Sequence, residues 1–370
     1  MATTGKQLFT TLTADGTLTL EVVETTFREP TGNQVLVKME AAPINPSDLA
    51  ILTSAADFEN AEYSAGKVVA KMPEPFNTGQ KARHGQRLPA GNEGAGTVVA
   101  TGDSDMAKAL MGQRVACVPG MAFSQYAIAD AAMCLPLGDH TAEAGASSFV
   151  NPMTALGFVE NAKIDGQKAI LHTVGASNLG LMLDRICRED GMPLVNIVRK
   201  DEQVSQLKAQ GAEWVVNSSD GDFMANLRHA IDATDAFYGF DPVGGGTMVD
   251  TCFKAMEQVA VSKMKEYSRY GSTQPKRMFI YGRLDMSPTT LTPSYGFGWT
   301  LSGWLLTPFL QMAGMETTMR MRKRVLDNLT TTFASHYKSK VDLDGMLTKD
   351  AILDYRRMKT GEKYLVTPWG

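Results

Sequence analysis

The chain has 370 residues, of which 44% are hydrophobic and 21% are charged, a balance typical of globular proteins. This length favours two domains, and the net charge of −4 gives no reason to expect nucleic acid or an anionic membrane as the main partner. No stretch approaches 18 apolar residues, so we predict no membrane span. The four cysteines form no C-x-x-C pair, which is typical of a reducing cytoplasm; they are Cys117, Cys134, Cys187 and Cys252.

The first 135 residues have the pattern of a β-rich domain. Short β-branched segments at 34–39, 97–100 and 114–118 are separated by turns that contain Gly, Pro and Asn. The interval 55–87 is polar and irregular, and we predict a long loop or insertion there.

The pattern changes near residue 164, where strands and helices begin to alternate. A buried strand is predicted at 169–174, and the next apolar residues have the spacing of one helix face: Leu179, Met182, Leu183, Ile186 and Cys187. Further strands are predicted at 194–198, 214–216, 236–240 and 278–281, and a helix around 347–358 precedes a final strand at 363–366. This alternation calls for right-handed parallel crossovers and hence a doubly wound parallel sheet of α/β class.

Two glycine-containing segments are candidates for a phosphate-binding loop. The first, 91–96 (GNEGAG), is followed by a predicted strand, whereas a phosphate site needs a helix start. We therefore interpret it as a turn into that strand. The second, 174–180 (VGASNLG), joins a strand to the amphipathic helix. We assign dinucleotide binding to this segment, through Gly175, Ser177, Asn178, Leu179 and Gly180; a plain turn is the alternative.

The end of the second strand of this region indicates which cofactor is bound. Arg199 and Lys200 supply two cations where many dinucleotide-binding proteins carry a ribose-binding acid, and cations suit a 2′-phosphate. The sequence therefore favours NADPH over NADH. Asp201 is either the ribose acid or, as we prefer, the N-cap of the next helix.

Several stretches resemble the medium-chain dehydrogenase/reductase superfamily. They are 35–48 (VLVKMEAAPINPSD), 91–96 and 241–245 (DPVGG), and the segments 151–155 and 195–199 resemble the 2-enoyl thioester reductases in particular. The resemblance is strongest to the branch without zinc, which includes the quinone oxidoreductases. It implies a GroES-like β-rich domain of residues 1–150 and 315–370, a Rossmann domain of residues 151–314, and an active site in the cleft between them.

The resemblance also implies roles for single residues. Asn45 and Thr154 are expected near the nicotinamide, and loops beside it would carry Gly244, Tyr281 and Gly282. The structural alternatives are a turn residue for Asn45, a helix cap for Thr154 and a core aromatic residue for Tyr281. The thioester reductases use a tyrosine of the first domain as a donor, and Tyr63 is the nearest candidate.

The zinc-binding relatives use a histidine within the segment that corresponds to 91–96, together with a cysteine of the first domain. Asn92 stands at the histidine position here, and no cysteine precedes Cys117. A catalytic zinc needs three protein ligands, so we predict no metal site.

The leading interpretation is a reductase that moves hydride from NADPH to a quinone or to a C=C bond conjugated to a carbonyl. The partner is then a small electrophilic molecule, and the resemblance implies a homodimer. A non-catalytic NADPH-binding sensor or scaffold is the alternative, and an alcohol dehydrogenase is weaker because zinc is missing. The intervals 55–87 and 260–276 are longer than the resemblance leads us to expect, so the substrate itself is not predicted.

Overall fold

A computed structural model describes residues 2–358 and 363–370. The chain divides into two compact units, which we call the β-rich unit (up to Val150, with Val325–Gly370) and the Rossmann unit (Asn151–Arg324). The return to the β-rich unit falls at Val325, ten residues beyond the expected position at 315. The helical segment Leu306–Asp327 is kinked at Gly314 (φ 84°), and its second part stays with the Rossmann unit up to Arg324.

Strands are the main secondary structure of the chain up to residue 150. The ten strands β1–β10 are Thr3–Leu12, Thr17–Phe27, Gln34–Pro43, Asp57–Ser64, Lys67–Lys71, Arg87–Pro89, Gly94–Thr101, Arg114–Cys117, Tyr126–Asp130 and Leu135–Pro136. Four short helices, α1–α4, are Leu49–Leu52, Phe76–Gly79, Asp105–Ala109 and Ala142–Gly145. The strands predicted at 34–39 and 97–100 are confirmed as parts of β3 and β7, and the one predicted at 114–118 is confirmed as β8, which ends one residue earlier, at Cys117.

The Rossmann unit alternates helices and strands. The helices α5–α10 are Val150–Ile164, Asn178–Glu189, Asp201–Ala209, Phe223–Thr234, Met248–Ser262 and Leu306–Asp327. The strands β11–β18 are Ile170–His172, Leu194–Val198, Trp214–Asn217, Tyr238–Asp241, Gly244–Gly246, Lys276–Ile280, Asp285–Thr289 and Trp299–Gly303. The chain ends with β19 (Ser339–Val341), α11 (Lys349–Tyr355) and β20 (Tyr364–Val366). Among the described residues, no helix is long and apolar enough to cross a membrane.

The β-rich unit contains two sheets around one apolar core. One sheet has the order β4-β5-β2-β1-β6, and the other has the order β10-β8-β7-β3-β20-β19 with β9 also paired to β3. The core includes Leu8, Leu20, Val37 and Phe123, all of which are fully buried. Strand β20 returns antiparallel to β3, so the last residues of the chain complete the second sheet.

The prediction of a loop at 55–87 is wrong. Strands β4 and β5 form a hairpin in this interval, with Gly66 in the left-handed region (φ 65°) at its turn, and β5 pairs with β2. The signal was present in Lys67–Lys71, where Val68 and Ala70 are buried and the flanking lysines are exposed. The many acidic and amide side chains of β4 hid it, because they occupy the exposed side of an outer strand.

The Rossmann unit is built on a parallel sheet with the order β13-β12-β11-β14-β16-β18. When only the six strands of this sheet are numbered, the order is 3-2-1-4-5-6, the dinucleotide-binding topology, so the predicted doubly wound fold is confirmed. Strands β15 and β17 pair with one another in a separate small sheet. The strand order reverses between β11 and β14. Open α/β sheets bind ligands beyond the carboxyl ends of the strands at such a point.

Helix α6 has the predicted apolar face, because all five residues assigned to it are buried. The prediction that Asp201 is an N-cap is wrong by one residue, since Lys200 is the N-cap of α7 and Asp201 lies in its first turn. The long connection 260–276 is anchored where it meets β16. There the fully buried ammonium of Lys276 pairs with Glu257 at 2.7 Å, and Ser272 donates to the same carboxylate at 2.6 Å.

Candidate functional site

The segment between β11 and α6 has the close backbone approach that a dinucleotide cradle needs. A Cβ on Gly180 would lie 2.3 Å from the carbonyl oxygen of Gly175, so only glycine lets the helix start this near the strand. The Gly175 N–H donates to the Ile197 carbonyl at 2.9 Å, which ties the loop to β12. The amides of the first turn of α6 therefore lie beside the end of β11, where they can receive a pyrophosphate.

Ser177 has a more structural role than the sequence suggests. Its Oγ accepts from the Gly180 N–H at 3.0 Å and donates to the Val174 carbonyl at 2.9 Å. The hydroxyl therefore caps α6 and closes the loop, and its proton is already donated to the Val174 carbonyl. Asn178 opens the helix, and Leu179 packs inward from it. This leaves the backbone amides as the groups of the segment that are available to a phosphate.

Arg199 and Lys200 lie just beyond β12 and are exposed. Among the described residues neither side chain has a hydrogen bond or an ion pair, and the Arg199 N–H donates to Gln203 Oε1 at 3.0 Å. Asp201, the other possible ribose ligand, accepts a hydrogen bond from Asn217 Nδ2 at 2.8 Å. Two cationic side chains without a described partner thus lie at this strand end. The neighbouring Asp201 carboxylate already accepts a hydrogen bond from an amide.

Asp241 is a fully buried residue at the end of β14, at the switch point where the strand order reverses. Its carboxylate accepts from the Thr173 hydroxyl and from the Gly244 N–H, the latter at 2.7 Å. Burial raises the pKa of this carboxyl. These bonds fix the loops after β11 and β14 to one another at the carboxyl edge of the sheet.

The structure brings Gly244 and Gly282 together at this edge. A Cβ on Gly282 would lie 2.6 Å from the Pro242 carbonyl, and one on Gly244, whose φ is 79°, would lie 2.9 Å from the Gly282 carbonyl. The Tyr281 N–H also donates to the Asp241 carbonyl at 3.0 Å. Two of the loops expected beside the nicotinamide are therefore neighbours.

The Tyr281 side chain packs as a core aromatic residue, which was the alternative to a role beside the nicotinamide. Its ring packs edge-on against Phe158 at 4.7 Å, and its hydroxyl lies 2.7 Å from His172 Nε2. Burial lowers the pKa of His172 to about 3 and raises that of Tyr281 well above its usual value, so both groups are neutral at ordinary pH. No sequence pattern indicated a role for His172, which lies at the end of a short buried strand.

Thr154 lies inside α5 and is buried, so it is not a helix cap. Phe158 stacks on Phe240 at 3.8 Å, and Asn161 bonds the Tyr238 hydroxyl at 2.8 Å, so α5 runs opposite to β14. Thr154 precedes Phe158 by four residues and shares its helix face, one turn closer to the carboxyl edge of the sheet. The prediction for Thr154 thus stays open, and its place in the Rossmann unit is compatible with it.

In the β-rich unit, Asn45 is one member of a buried polar cluster. Its Nδ2 donates to Glu93 Oε1 at 2.9 Å, and the other Glu93 oxygen accepts from the N–H groups of Phe149 and Val150, each at 2.9 Å. The segment 91–96 is the predicted turn into a strand, but Glu93 within it is 1% exposed and joins three parts of the unit. The Asn45 Oδ1 atom is buried and has no hydrogen-bond partner among the described residues.

Asp48 is a second buried carboxyl of this cluster. It accepts from the backbone N–H groups of Asn45 and Asn92, both at 2.8 Å. Burial raises its pKa to about 7, with a smaller contribution from the charge of Glu93. Asn92, at the histidine position of the zinc-binding relatives, donates through Nδ2 to Ser47 Oγ at 2.9 Å. No group of three His, Cys, Asp or Glu side chains suited to a metal ion occurs within residues 2–358 and 363–370.

Tyr63 lies on β4, in the sheet that does not contain β3. Its hydroxyl donates to the Phe58 carbonyl at 2.7 Å, and its ring packs against the core of the β-rich unit. Burial raises its pKa. The hydroxyl is thus tied to the backbone of its own strand, and the donor role of Tyr63 stays a prediction without support from this geometry.

Three further members of the cluster around Asn45 had no sequence signal. Lys363 donates to Ser147 Oγ at 2.8 Å, and this hydroxyl lies 2.8 Å from the Tyr337 hydroxyl. These residues are far apart in the chain, and neither spacing nor composition indicates that they meet.

Comparison with known proteins identifies relatives for the chain. Residues 31–139 match the family model of the alcohol dehydrogenase GroES-like domain. A mitochondrial enoyl-[acyl-carrier-protein] reductase from Arabidopsis thaliana is 27% identical over 300 residues, which are 78% of this chain and 68% of that protein.

Solved structures extend the similarity over the whole chain. One, named as an NADPH:quinone reductase from Mesorhizobium loti, is 28% identical with a TM-score of 0.75, and the match covers 100% of this chain and 99% of that one. A mycobacterial protein solved in complex with NADPH is 18% identical with a TM-score of 0.69, over 98% of this chain and 100% of that one. With the strand order of the Rossmann unit, these similarities show the fold of the medium-chain dehydrogenase/reductase superfamily, and the chain is similar in sequence to quinone and enoyl reductases of that superfamily.

Proposed function

We propose that the protein is an NADPH-dependent oxidoreductase that reduces quinones or C=C bonds conjugated to a carbonyl. The observation that carries this proposal is the cradle between β11 and α6, where Gly180 approaches Gly175, together with the uncommitted Arg199 and Lys200 beyond β12. The first fits a pyrophosphate and the second fits a ribose 2′-phosphate.

The residues that would hold the cofactor follow from the Rossmann unit. The backbone amides at Asn178, Leu179 and Gly180 would bind the pyrophosphate, and Arg199 and Lys200 would bind the 2′-phosphate. The switch point places the loops at Gly244 and Gly282 on the same edge of the sheet, and we assign them and Thr154 to the nicotinamide end. Bound NADPH would supply the hydride, so the protein's task is to orient the reactants and stabilise the charge that develops.

The polar groups near Asn45 are already engaged in hydrogen bonds, so they offer few ligands to a metal ion. Without a metal to polarise it, the substrate must already be electrophilic. Glu93 accepts three hydrogen bonds, and Asn92 is bonded to Ser47. We therefore propose zinc-independent catalysis, with a quinone or conjugated carbonyl as the acceptor. Stoichiometric zinc in protein purified without added metal, with activity lost to a chelator, would contradict it.

The relatives support this substrate class. The Arabidopsis protein is named an enoyl-[acyl-carrier-protein] reductase, and the Mesorhizobium protein an NADPH:quinone reductase. A mouse protein that is 25% identical over 51% of this chain is named a prostaglandin reductase, but the match covers only 44% of it.

The experiment follows NADPH absorbance with a panel of quinones, enals, enones and 2-enoyl thioesters, beside a panel of alcohols with NADP⁺. We expect turnover with members of the first panel. Tight NADPH binding without any turnover would favour the sensor or scaffold alternative, and activity with alcohols alone would overturn the proposed reaction.

Two further proposals rest mainly on the family resemblance and on the cysteines. We propose a homodimer, which sedimentation velocity would test, and a cytoplasmic location. All four cysteines are buried and none forms a disulfide bond, as in a reducing compartment.

A further inference from the structure

The Rossmann unit contains a cavity of about 350 Å³ that the proposed cofactor site does not use. Its walls are the first residues of β14, β16 and β18, together with the turn after α5. These strand starts lie at the amino edge of the sheet, whereas the cradle and the switch point lie at the carboxyl edge. Tyr238 and Asp241, at the two ends of β14, are about 10 Å apart along the strand. A ligand in this cavity would therefore occupy a different place from NADPH.

The polar wall of the cavity is an ion pair that uses only part of each partner. Arg277 Nη1 donates to Asp165 Oδ2 at 2.6 Å, and the Tyr238 hydroxyl donates to the same oxygen at 2.6 Å. Within the part of the chain that the structure describes, Asp165 Oδ1 and the Nε and Nη2 atoms of Arg277 have no hydrogen-bond partner. The two side chains are 27% and 43% exposed, respectively. A carboxylate acceptor and guanidinium donors are thus both available to a ligand.

The charges of the wall cancel one another. Asp165 and Arg277 are paired, and Lys276, the other charged residue that lines the cavity, turns its fully buried ammonium to Glu257 at 2.7 Å. A charged ligand would therefore be attracted by one member of the Asp165–Arg277 pair and repelled by the other. An uncharged group that offers a donor to the carboxylate and an acceptor to the guanidinium is favoured by both.

Aromatic side chains form the outer wall of the cavity. Phe297 is 83% exposed, and Trp299, two residues further on, is half-buried on the same wall. The Phe297 ring contacts Tyr270 edge-on, with the ring centroids 6.2 Å apart. An exposed aromatic ring beside unpaired polar atoms offers a stacking surface to a planar ligand.

The segment that carries Phe297 is held in place on both sides. A Cβ on Gly296 would lie 2.8 Å from the Ser272 carbonyl, so the two backbones are in close contact there. The Gly298 carbonyl accepts from the Lys276 N–H at 2.7 Å. The end of the long connection before β16 thus builds and fixes this wall. Because the wall is preorganised, binding a ligand would cost little loop ordering.

We propose that the cavity binds a planar heteroaromatic molecule through a lactam edge, that is, through adjacent N–H and C=O groups of one ring. The lactam N–H donates to Asp165 Oδ1, the lactam C=O accepts from Arg277, and the ring stacks on Phe297. A lactam carries no net charge, and its donor and acceptor are neighbours, as the two side chains are. The volume lies in the lower part of the range of ligand pockets and accommodates a bicyclic ring. The proposal is independent of the proposed function, because neither NADPH nor hydride transfer uses this cavity.

The probe that tests the site is quinazolin-4-one, a bicyclic lactam. Its control is 3-methylquinazolin-4-one, in which a methyl group replaces the hydrogen that Asp165 would accept. An NMR titration of the full chain measures both Kd values, with and without saturating NADPH. We expect a Kd of about 1 mM or below for quinazolin-4-one, as for a well-placed ligand of this size, and the same value in the presence of NADPH. The methylated compound should bind about tenfold more weakly or worse, because it loses a charge-assisted hydrogen bond.

Two variants locate the probe in the cavity. In Asp165→Asn, Arg277 and Tyr238 hold the remaining oxygen, so the new NH₂ group faces the lactam N–H, a donor against a donor. Phe297→Ala removes the exposed ring. Each variant should weaken quinazolin-4-one binding about tenfold or more. Tyr267→Ala is the matched control, since Tyr267 is 93% exposed and does not line the cavity, and it should keep the wild-type Kd.

No saturable binding of quinazolin-4-one would overturn the proposal, and so would equal affinity for the methylated compound. Wild-type affinity in both Asp165→Asn and Phe297→Ala, or displacement of the probe by NADPH, would place it elsewhere and contradict the site. Tighter binding of benzoate than of quinazolin-4-one would assign the cavity to an anion instead. If Asp165→Asn fails to fold, Phe297→Ala and the methylated compound decide the question. Failure to bind NADPH or to turn over any acceptor counts against the proposed function alone, so the two failures are distinguishable.

Discussion

At the scale of single residues, we propose that charge at the end of β12 selects NADPH over NADH. Arg199 and Lys200 are exposed, and neither side chain is paired with a described residue. A charge-assisted contact to a phosphate contributes about 1.5–3 kcal/mol, so Arg199→Ala should weaken NADPH binding about tenfold or more and leave NADH nearly unchanged. Calorimetric titration of both cofactors measures this. Arg228→Ala, which removes an exposed cation of α8, should change neither affinity.

The buried carboxyl of Asp48 makes a prediction about stability and pH. Its folded pKa of about 7 is above the usual value of 3.8, so between those two values the folded state holds a proton that the unfolded state has lost. Its contribution to the free energy of unfolding therefore falls as pH rises from about 4 to about 7, by up to about 1.4 kcal/mol per pH unit.

The comparison of wild type with Asp48→Asn isolates this contribution. His172 acts in the opposite sense, because its folded pKa is lowered to about 3, and subtracting the variant removes that background. Urea unfolding at pH 5, 6, 7 and 8 should show the wild type losing stability relative to Asp48→Asn up to about pH 7, and no further change above it. A difference that is constant over this range would show that Asp48 is ionised throughout.

At the scale of elements, the approach of α6 to β11 depends on one glycine. A side chain at Gly180 would overlap the backbone at Gly175, and backbone atoms can relieve such overlap only by moving the helix. Gly180→Ala should therefore cost about 1–3 kcal/mol of stability, in the range of an overpacked core, and weaken NADPH binding because the helix amides move. Gly221→Ala is the matched control, since a Cβ there meets nothing within 4 Å. Equal melting temperatures and NADPH affinities for the two variants would contradict the cradle.

Element prediction succeeded where one face of an element is apolar and failed where it is not. The buried residues of α6 repeat with helical spacing, so both the helix and its inner face could be predicted. Strand β4 is an outer strand whose side chains are mostly exposed and polar, and its sequence resembles a loop. The hairpin is fixed instead by pairing of β5 with β2, a contact between residues about 50 positions apart, such as Leu18 and Ala70.

At the scale of the whole molecule, the family resemblance predicted a GroES-like domain and a Rossmann domain. The strand order of the Rossmann unit confirms the second of these. The candidate site was only partly predictable. Gly180 and Arg199 could be proposed from the sequence because their context implies a helix start and a strand end. Lys363, Ser147 and Tyr337 could not be found in this way, because strand pairing between β3, β20 and β19 brings them together.

The transfer of hydride from C4 of NADPH to substrate carbon or oxygen is the central claim. The most direct measurement uses NADPH carrying deuterium at both C4 positions, with a conjugated enone as acceptor and mass spectrometry of the product. We predict one deuterium per product molecule, at the β-carbon, and one solvent-derived hydrogen at the α-carbon. A product without deuterium, or deuterated NADPH that binds tightly and is never consumed by any acceptor, would contradict the account.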